Sequence, residues 1–411
     1  MDNSTGVVGP RSGPAALENI ANNYSPPSER RAKRYELRAF LWRNSTSERC
    51  RHCGRSMTGK DVGVRYSEGK GAGFSGLQTC GSVWICPVCS AKILARRSLE
   101  TGVMCLAWEN QGGRLALGTL TMRHHEGHSL KALWKALALA WKLVTTSRVW
   151  RKQLVRLGVA GWIKVVEVNV GPNGWHVHIH FALLLGEGTT DADLLGLSDW
   201  LTPKWQRAVA ANGFDALPVG QDLAFFDGVD AAVQLGEYMS KQTAYGSPES
   251  LGLELFGGAN KRARSVYSTV PVWRLLEEIM ATGELDQWHR WVEYEKASKG
   301  KHQFSVSKGL REQLGVGPEK SDEEIVAEEA GDRDLVRITR QGWFDLLRSG
   351  LNPAEVLTVM ESGGVSAVCR MLTAEGIDHR EVSDDEHLED EAVRVAMVQS
   401  DLREQTRKGG R

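Results

Sequence analysis

The segment Trp175-His-Val-His-Ile-His-Phe-Ala-Leu-Leu-Leu185 sets three histidines in alternation with apolar residues. Successive side chains of a β-strand point to opposite faces, so His176, His178 and His180 share one face and Trp175, Val177, Ile179 and Phe181 the other. Three imidazoles on one face of an apolar strand are costly unless solvated, hydrogen-bonded or metal-bound. Residues 161–170 read as a second strand, and Gly171-Pro-Asn-Gly174 is turn chemistry. With those four residues as the loop, Val170 faces Trp175, Glu167 lands opposite His178, and Asn169 opposite His176. Directly paired residues have Cβ atoms about 5 Å apart. His178, His180 and Glu167 then form an open site for a divalent cation able to polarise a phosphoryl oxygen. Imidazole ligands suit Mn²⁺, and the carboxylate keeps Mg²⁺ in range. A bulge in either strand would break this register, leaving His176 as the competing third ligand.

Cysteine supplies a second constellation. Cys50-Arg-His-Cys53 and Cys86-Pro-Val-Cys89 are two CxxC knuckles with 32 residues between them. Four thiolates so paired suit tetrahedral structural Zn²⁺, as in a zinc ribbon. Cys80 and His52 are spare donors, either able to replace a knuckle cysteine. A redox dithiol needs only one such pair. The count of seven cysteines is odd, and with no signal-peptide core a disulfide framework is disfavoured. Zinc would fold a segment rich in glycine (Gly69, Gly71, Gly73, Gly76) that has little core of its own. Arg49, Arg51, Arg55, Arg65, Arg96 and Arg97 surround it, which favours a DNA-facing ribbon. Cys105 and Cys369 lie in apolar helical contexts and read as core.

The elements that must position these groups follow from periodicity. Leu115–Met122 reads as a strand. Leu130, Leu133, Trp134, Leu137, Trp141 and Val144 recur at helical spacing and predict an amphipathic helix packed on a sheet. Helices are also predicted over 193–212, 229–242, 273–297 and from 322 onward, where Trp343, Phe344, Leu346 and Leu347 form an apolar face. Asn352-Pro353 is a helix start, cap then proline. Residues 1–30, rich in Gly, Pro, Ser and Asn, read as disordered. Strand, helix, strand, strand over 115–185 predicts an α+β fold, a central antiparallel sheet with helices on one face.

The 411 residues carry 51 basic and 51 acidic side chains, and that balance at first argues against a nucleic-acid partner. It is an average. Residues 1–166 carry +16, residues 167–320 carry −6 and residues 321–411 carry −10. The basic block could place a footprint on a phosphate backbone. No apolar run reaches the roughly 18 residues of a membrane span, so a cytoplasmic protein with no membrane partner is expected. No Gly-x-x-x-x-Gly-Lys-[Ser/Thr] phosphate loop is present.

His178-Ile-His180, led by Gly-Trp-His-Val and followed by Phe-Ala-Leu-Leu-Leu, resembles the histidine-hydrophobic-histidine motif of the HUH endonucleases. More narrowly, the chain resembles the rolling-circle replication initiators (Rep proteins) of bacterial plasmids. Thr119-Leu-Thr-Met-Arg-His124 is similar to the strand preceding the histidines in that family, and Trp84-Ile-Cys-Pro-Val-Cys89 to its cysteine region. Trp291-Val-Glu-Tyr to Lys299-Gly, then Ser307-Lys-Gly-Leu310, resembles a segment beyond the catalytic tyrosine. The resemblance runs from about 48 to 330. It implies an HUH-like catalytic domain over 111–270, preceded by a disordered stretch (1–30) and a zinc-binding module (31–110). A helical aromatic-rich extension (271–320) and an acidic helical C-terminal domain (321–411) would follow.

The resemblance also implies a tyrosine nucleophile, and Tyr238 in Gln234-Leu-Gly-Glu-Tyr-Met-Ser-Lys241 matches best. On a helix Gln234, Tyr238 and Lys241 share a face, and Lys241 could stabilise phosphate charge or lower the phenol's pKa. Tyr245 is the alternative or second nucleophile. Some relatives carry Glu where this chain has Gln234, leaving Tyr245, Glu237, Asp230 or a second subunit to act at termination. The implied reaction is nicking and rejoining of one strand at the plasmid's double-strand origin, single-stranded or extruded at the nick, through a 5′-phosphotyrosine. A basic, aromatic-lined groove is expected, with the 14 tryptophans as stacking candidates. Implied partners are DNA, a host helicase and polymerase, and a second copy in a homodimer. Rival readings are an HUH relaxase or transposase, a non-enzymatic zinc-ribbon DNA-binding regulator, and a His-x-His metallohydrolase.

Overall fold

A computed structural model of the chain describes residues 27–226, 231, 235, 270–328, 331 and 333–383. In chain order the elements are α1 (Pro27–Asn44), α2 (Glu48–His52), β1 (Val62–Ser67), β2 (Gly71–Ser75), α3 (Pro87–Glu109), β3 (Arg114–Thr121), α4 (Leu130–Thr145), α5 (Arg148–Arg156), β4 (Gly161–Gly171), β5 (Gly174–Leu185) and α6 (Asp191–Ala210). There follow β6 (Asp222–Phe225), β7 (Val270–Pro271), α7 (Val272–Thr282), α8 (Leu285–Ser298), β8 (Phe304–Val306), α9 (Leu310–Gln313), α10 (Asp322–Ala327), β9 (Val336–Ile338), α11 (Arg340–Ser349), α12 (Pro353–Ala374) and β10 (His379–Glu381). The fold is α+β with two antiparallel sheets.

The larger sheet has the order β6-β3-β5-β4-β7, with β8 also on β4. Its centre is the β4–β5 hairpin, whose register pairs Glu167 with His178, Asn169 with His176 and Val170 with Trp175. The pairing extends to Gly171 and Gly174, so the connection is the two residues Pro172 and Asn173, tighter than the four-residue loop expected. The register is unchanged, because the shorter turn is nested symmetrically inside the longer one. Gly174 has φ +80°, and a Cβ there would lie 3.0 Å from the Glu126 Cα. Glycine is therefore required twice over, by conformation and by contact.

Alternation along β5 divides the core. Trp175, Val177, Ile179, Phe181, Leu183 and Leu185 pack with the buried stripe of α4 (Leu133, Trp134, Leu137, Trp141, Val144) and with α6. Ala182 and Leu184 on the other face pack with Leu115, Ile163, Val165 and the α3 residues Met104 and Cys105. The expectation of helices on one face is corrected here. The histidine face is itself covered at its far end, because Ala182 and Leu184 continue it with apolar side chains that must be buried.

The smaller sheet has the order β10-β9-β1-β2. Val62 and Val64 of the cysteine-rich region share a core with Val336, Ile338, Trp343, Leu346, Val356, Met360 and Leu372. The C-terminal region, expected to be helical, thus contributes two strands. Val336–Ile338 and His379–Glu381 were too short to show a period; β9 pairs on the edge of β1, and β10 pairs on β9. Residues 62–75 and 336–381 share one sheet and one core, across the boundaries expected from sequence.

Three consecutive side chains of α8 tie the cysteine-rich region to the larger sheet. Glu293 accepts from the Leu130 N–H at 2.7 Å and the Trp175 indole at 2.9 Å, holding the start of α4 and the start of β5. The Tyr294 hydroxyl donates to the Trp84 carbonyl. Buried Glu295 accepts from the Ser45 hydroxyl at 2.5 Å and the Thr46 N–H at 2.7 Å, just before the first knuckle. No helix among the described residues is long and apolar enough to cross a membrane.

Candidate functional site

The hairpin register delivers Glu167 beside two imidazoles. His178 Nε2 is 2.7 Å and His180 Nε2 is 3.0 Å from the same carboxylate oxygen, Oε2 of Glu167. All three residues are buried. Burial alone would raise the Glu167 carboxyl pKa, but the facing His178 and His180 outweigh it and hold the group below the usual carboxylate range. Its other oxygen, Oε1, accepts from the Asn169 amide at 2.9 Å. His180 Nδ1 meets the Thr119 hydroxyl at 3.1 Å, across the β3–β5 ladder where the two residues are paired. Asn169 and Thr119 therefore orient two of the three candidate ligands.

The donor chemistry fits a divalent cation. Two imidazole nitrogens converge on one anionic oxygen, so each must carry a proton there or a cation must lie among the three. If Nε2 of His178 carries the proton, its Nδ1 becomes a buried acceptor, and that atom has no hydrogen-bond partner among the described residues. Two nitrogens and one oxygen, within 4.8 Å of one another, suit Mn²⁺ or Mg²⁺ with further positions left open. His176 stands outside this group. Its ring lies edge-on to His178 at 4.8 Å and to His124 at 4.9 Å. Burial, with the neighbouring imidazoles of His178 and His124, pushes it down to about 3.

The cysteines come together at the junction of α2 and α3. The Sγ atoms of Cys53, Cys80, Cys86 and Cys89 lie within 4.8 Å of one another. Cys53 is 3.7 Å from Cys86 and 3.5 Å from Cys89, and Cys80 is 3.7 Å from Cys89. A tetrahedron with Zn–S bonds of about 2.3 Å has S···S edges of about 3.8 Å, so the cluster has the size of a Zn²⁺ site. Hydrogen bonding from Cys80, Cys86 and Cys89 holds the Cys53 thiol well below its usual range. Cys50 is buried beside this group, in reach of Cys80 and Cys86, with its Sγ 4.0 Å from the Ile85 carbonyl. His52 is exposed and bonded to the Ser56 hydroxyl at 2.9 Å, so it points away. The spare donor that joins the cluster is Cys80, and its lone spacing gave no signal for that.

A buried cation sits against the cluster. The Arg38 guanidinium lies 4.2 Å over the Tyr35 ring and packs on Gly54, where a Cβ would come within 2.2 Å of it. Its Nε and Nη2 are buried without a hydrogen-bond partner among the described residues. A tetrathiolate zinc site carries two negative charges, and Arg38 is placed to offset one of them.

The arginines expected to face DNA around the cysteines are largely committed elsewhere. Arg65 is buried on Asp334 at 2.6 Å, and Arg49 pairs with Glu323 at 3.1 Å. Arg97 is buried among Glu100, Glu319 and Asp322, and Arg96 also reaches Glu100. Acidic residues from 319 to 334 thus satisfy three of these six cations, and Arg51 and Arg55 remain exposed. None of the 14 tryptophans is exposed: nine are buried, and Trp42, Trp108, Trp162, Trp200 and Trp288 are half-buried.

Tyr238, Lys241, Tyr245, Gln234, Glu237 and Asp230 lie outside the described residues. Two neighbours in that stretch are described: Ala231 and Leu235 are buried in the core on the histidine side of the sheet.

A family model described as "Replication protein" matches residues 75–213. That span holds Cys80, Cys86, Cys89, Thr119, Glu167, His178 and His180. The chain is 27% identical over 344 residues to "Protein rep" of Streptomyces lividans, covering 67% of this chain and 74% of that one. It is 35% identical over 191 residues to a protein of Streptomyces cyanogenus named "Neomycin resistance protein", covering 37% of this chain and 44% of that one. No solved structure matches. The matched segment, which runs from Cys80 through both strands of the histidine hairpin, is similar to replication (Rep) proteins, and that similarity supports a plasmid replication initiator.

Proposed function

We propose that this protein initiates rolling-circle replication as an HUH-type endonuclease, nicking and rejoining one DNA strand at a double-strand origin. The observation that carries the reading is the convergence of His178 and His180 on one oxygen of Glu167. When bound there, Mg²⁺ or Mn²⁺ supplies a Lewis acid that polarises a phosphoryl oxygen. Tyr238 supplies the nucleophile. Its phenolic oxygen bonds to phosphorus as the P–O3′ bond breaks, the phenol gives up its proton, and the departing 3′-oxygen takes one up. The products are a 5′-phosphotyrosine and a 3′-hydroxyl that primes synthesis, and rejoining is the reverse. Ala231 and Leu235, seven and three residues before Tyr238 in the sequence, are buried on the histidine side of the sheet. Lys241 holds developing negative charge, and Tyr245 is the alternative nucleophile.

In this reading Zn²⁺ at the cysteines folds residues 31–110, with the catalytic unit over 111–270. The aromatic-rich extension (271–320) bridges them, and the acidic region from 321 braces the cysteine module. A host helicase and polymerase act on the nicked product, and a second copy of the chain is a further partner. The test mixes the protein with a labelled single-stranded origin oligonucleotide and Mn²⁺ and looks for a covalent adduct on a denaturing gel. A wild-type adduct that Tyr238→Phe abolishes supports the reading. An undiminished adduct, or none from wild type, sinks it. Cleavage that survives Tyr238→Phe but not His178→Ala would identify a metallohydrolase instead.

A further inference from the structure

Residues 127–166 contain eight Lys and Arg and no Asp or Glu. Six of the eight, Lys131, Lys135, Lys142, Arg148, Arg151 and Lys152, are exposed on α4 and α5. None of the six has a carboxylate partner among the described residues, unlike Arg156, which binds Asp193 at 2.5 Å. On α4 the three lysines fall within about 40° of one another around the axis and span about 16 Å along it. On α5 the three cations fall within about 100°. The opposite faces of both helices, including Trp134, Trp141 and Trp150, are buried. Nearby carboxylates do not cancel the charge. Glu293 of α8 faces inward onto Trp175 and Leu130, Asp193 of α6 is taken by Arg156, and Asp191 and Asp199 of α6 remain against six cations.

We infer that the α4–α5 pair is a contact surface for the sugar-phosphate backbone of duplex DNA, distinct from the strand handled at the histidines. This rests on the replication reading for its choice of nucleic acid as the anion. Position separates the two sites, because α4 packs on the odd-numbered side chains of β5 and the histidines stand on the even-numbered face. Side-chain type selects a duplex over a single strand. Single-strand surfaces need exposed rings on which bases stack. The exposed apolar side chains beside these cations are aliphatic, Leu139, Leu143, Val149 and Val155. Phosphate contacts of this kind fix position without reading sequence, so the surface would seat the origin duplex while the scissile strand reaches the opposite face.

The test uses the full chain with all six cations changed to Gln, titrated against an origin duplex by fluorescence anisotropy over a range of KCl. Each phosphate contact contributes about 0.9 to the slope of log K against log salt. Loss of three to six contacts lowers that slope by roughly 3 to 5, with duplex affinity down at least ~100-fold at 0.15 M salt. Adduct yield on the single-stranded oligonucleotide stays within about twofold, because the histidine site is untouched. A duplex slope and affinity within about twofold of wild type would overturn the inference. Should the sixfold variant melt early, Lys131/Lys135/Lys142→Gln and Arg148/Arg151/Lys152→Gln are measured separately, and no change of slope in either overturns it equally. If wild type binds duplex with the expected charge dependence but forms no adduct, the nicking reading falls and this one stands.

Discussion

Replacing Cys80 by serine asks which four thiolates make the cysteine site. The two CxxC knuckles favour Cys50, Cys53, Cys86 and Cys89, whereas the group whose Sγ atoms lie within 4.8 Å of one another is Cys53, Cys80, Cys86 and Cys89. The observed separations of 3.5 to 3.7 Å match the edge of a zinc tetrathiolate, about 3.8 Å, so little movement is needed for metal to enter. Structural Zn²⁺ sites bind with about 10–16 kcal/mol. One ligand of four is worth roughly 3–4 kcal/mol of that, which at about 1.4 kcal/mol per decade is a 100- to 1,000-fold loss of affinity. The assay is competition for Zn²⁺ between the full chain and a chromophoric chelator, repeated with Co²⁺, whose visible absorption reports thiolate count directly. The Cys80→Ser variant is expected to lose about 100- to 1,000-fold in affinity and one thiolate from the Co²⁺ spectrum, while Cys50→Ser stays within about tenfold. Equal or larger loss in Cys50→Ser would refute the reasoning and restore the knuckle set.

Three further expectations follow from the geometry. Asn169→Ala frees Oε1 of Glu167 and should weaken Mn²⁺ binding by about 10- to 100-fold without unfolding the protein, measured by titration calorimetry alongside a thermal melt. Ending the chain at residue 320 removes β9 and β10 and the helices covering Val62 and Val64, so the cysteine-rich region should become protease-sensitive and the melting temperature fall by at least several degrees, as limited proteolysis and calorimetry would show. The same truncation would remove Glu323 from Arg49 and Asp334 from Arg65, so any gain in DNA binding would accompany that loss of order. The metal-free protein should also lose stability in acid. Glu167 has a folded pKa below its unfolded value of about 4.3, so its contribution is complete above that value and fades as pH falls through it toward the folded pKa. Urea unfolding between pH 6 and 3 should therefore show a steeper loss for wild type than for Glu167→Gln.

Local pattern carried part of this protein and failed on the rest for identifiable reasons. The β4–β5 register was readable because side chains alternate with period two and a glycine-bounded turn joins neighbours in sequence, so Glu167 and His178 meet without any long-range assumption. The amphipathic stripe of α4 was readable for the same kind of reason, a repeat within one element. The partner of each cation was not readable. Arg65, Arg97 and Arg49 look like a basic ring in the sequence, yet carboxylates more than 200 residues away meet them in the fold. Cys80 against Cys50 is the same problem at shorter range, since a CxxC spacing describes a knuckle but not what closes around it.

The amino-acid sequence by itself determined the chemistry available here: three imidazoles on one strand face, a carboxylate across a tight hairpin, five cysteines within 40 residues and an uninterrupted basic stretch over 127–166. These are properties of residue type and of neighbours along the chain. Only the tertiary structure decided which charges remain free. Neutralisation depends on distance in space, and strands of three residues such as Val336–Ile338 have too little period to announce where they will pair. That is why most of the arginines around the cysteines are paired internally, while the basic stretch on α4 and α5 is left facing outward.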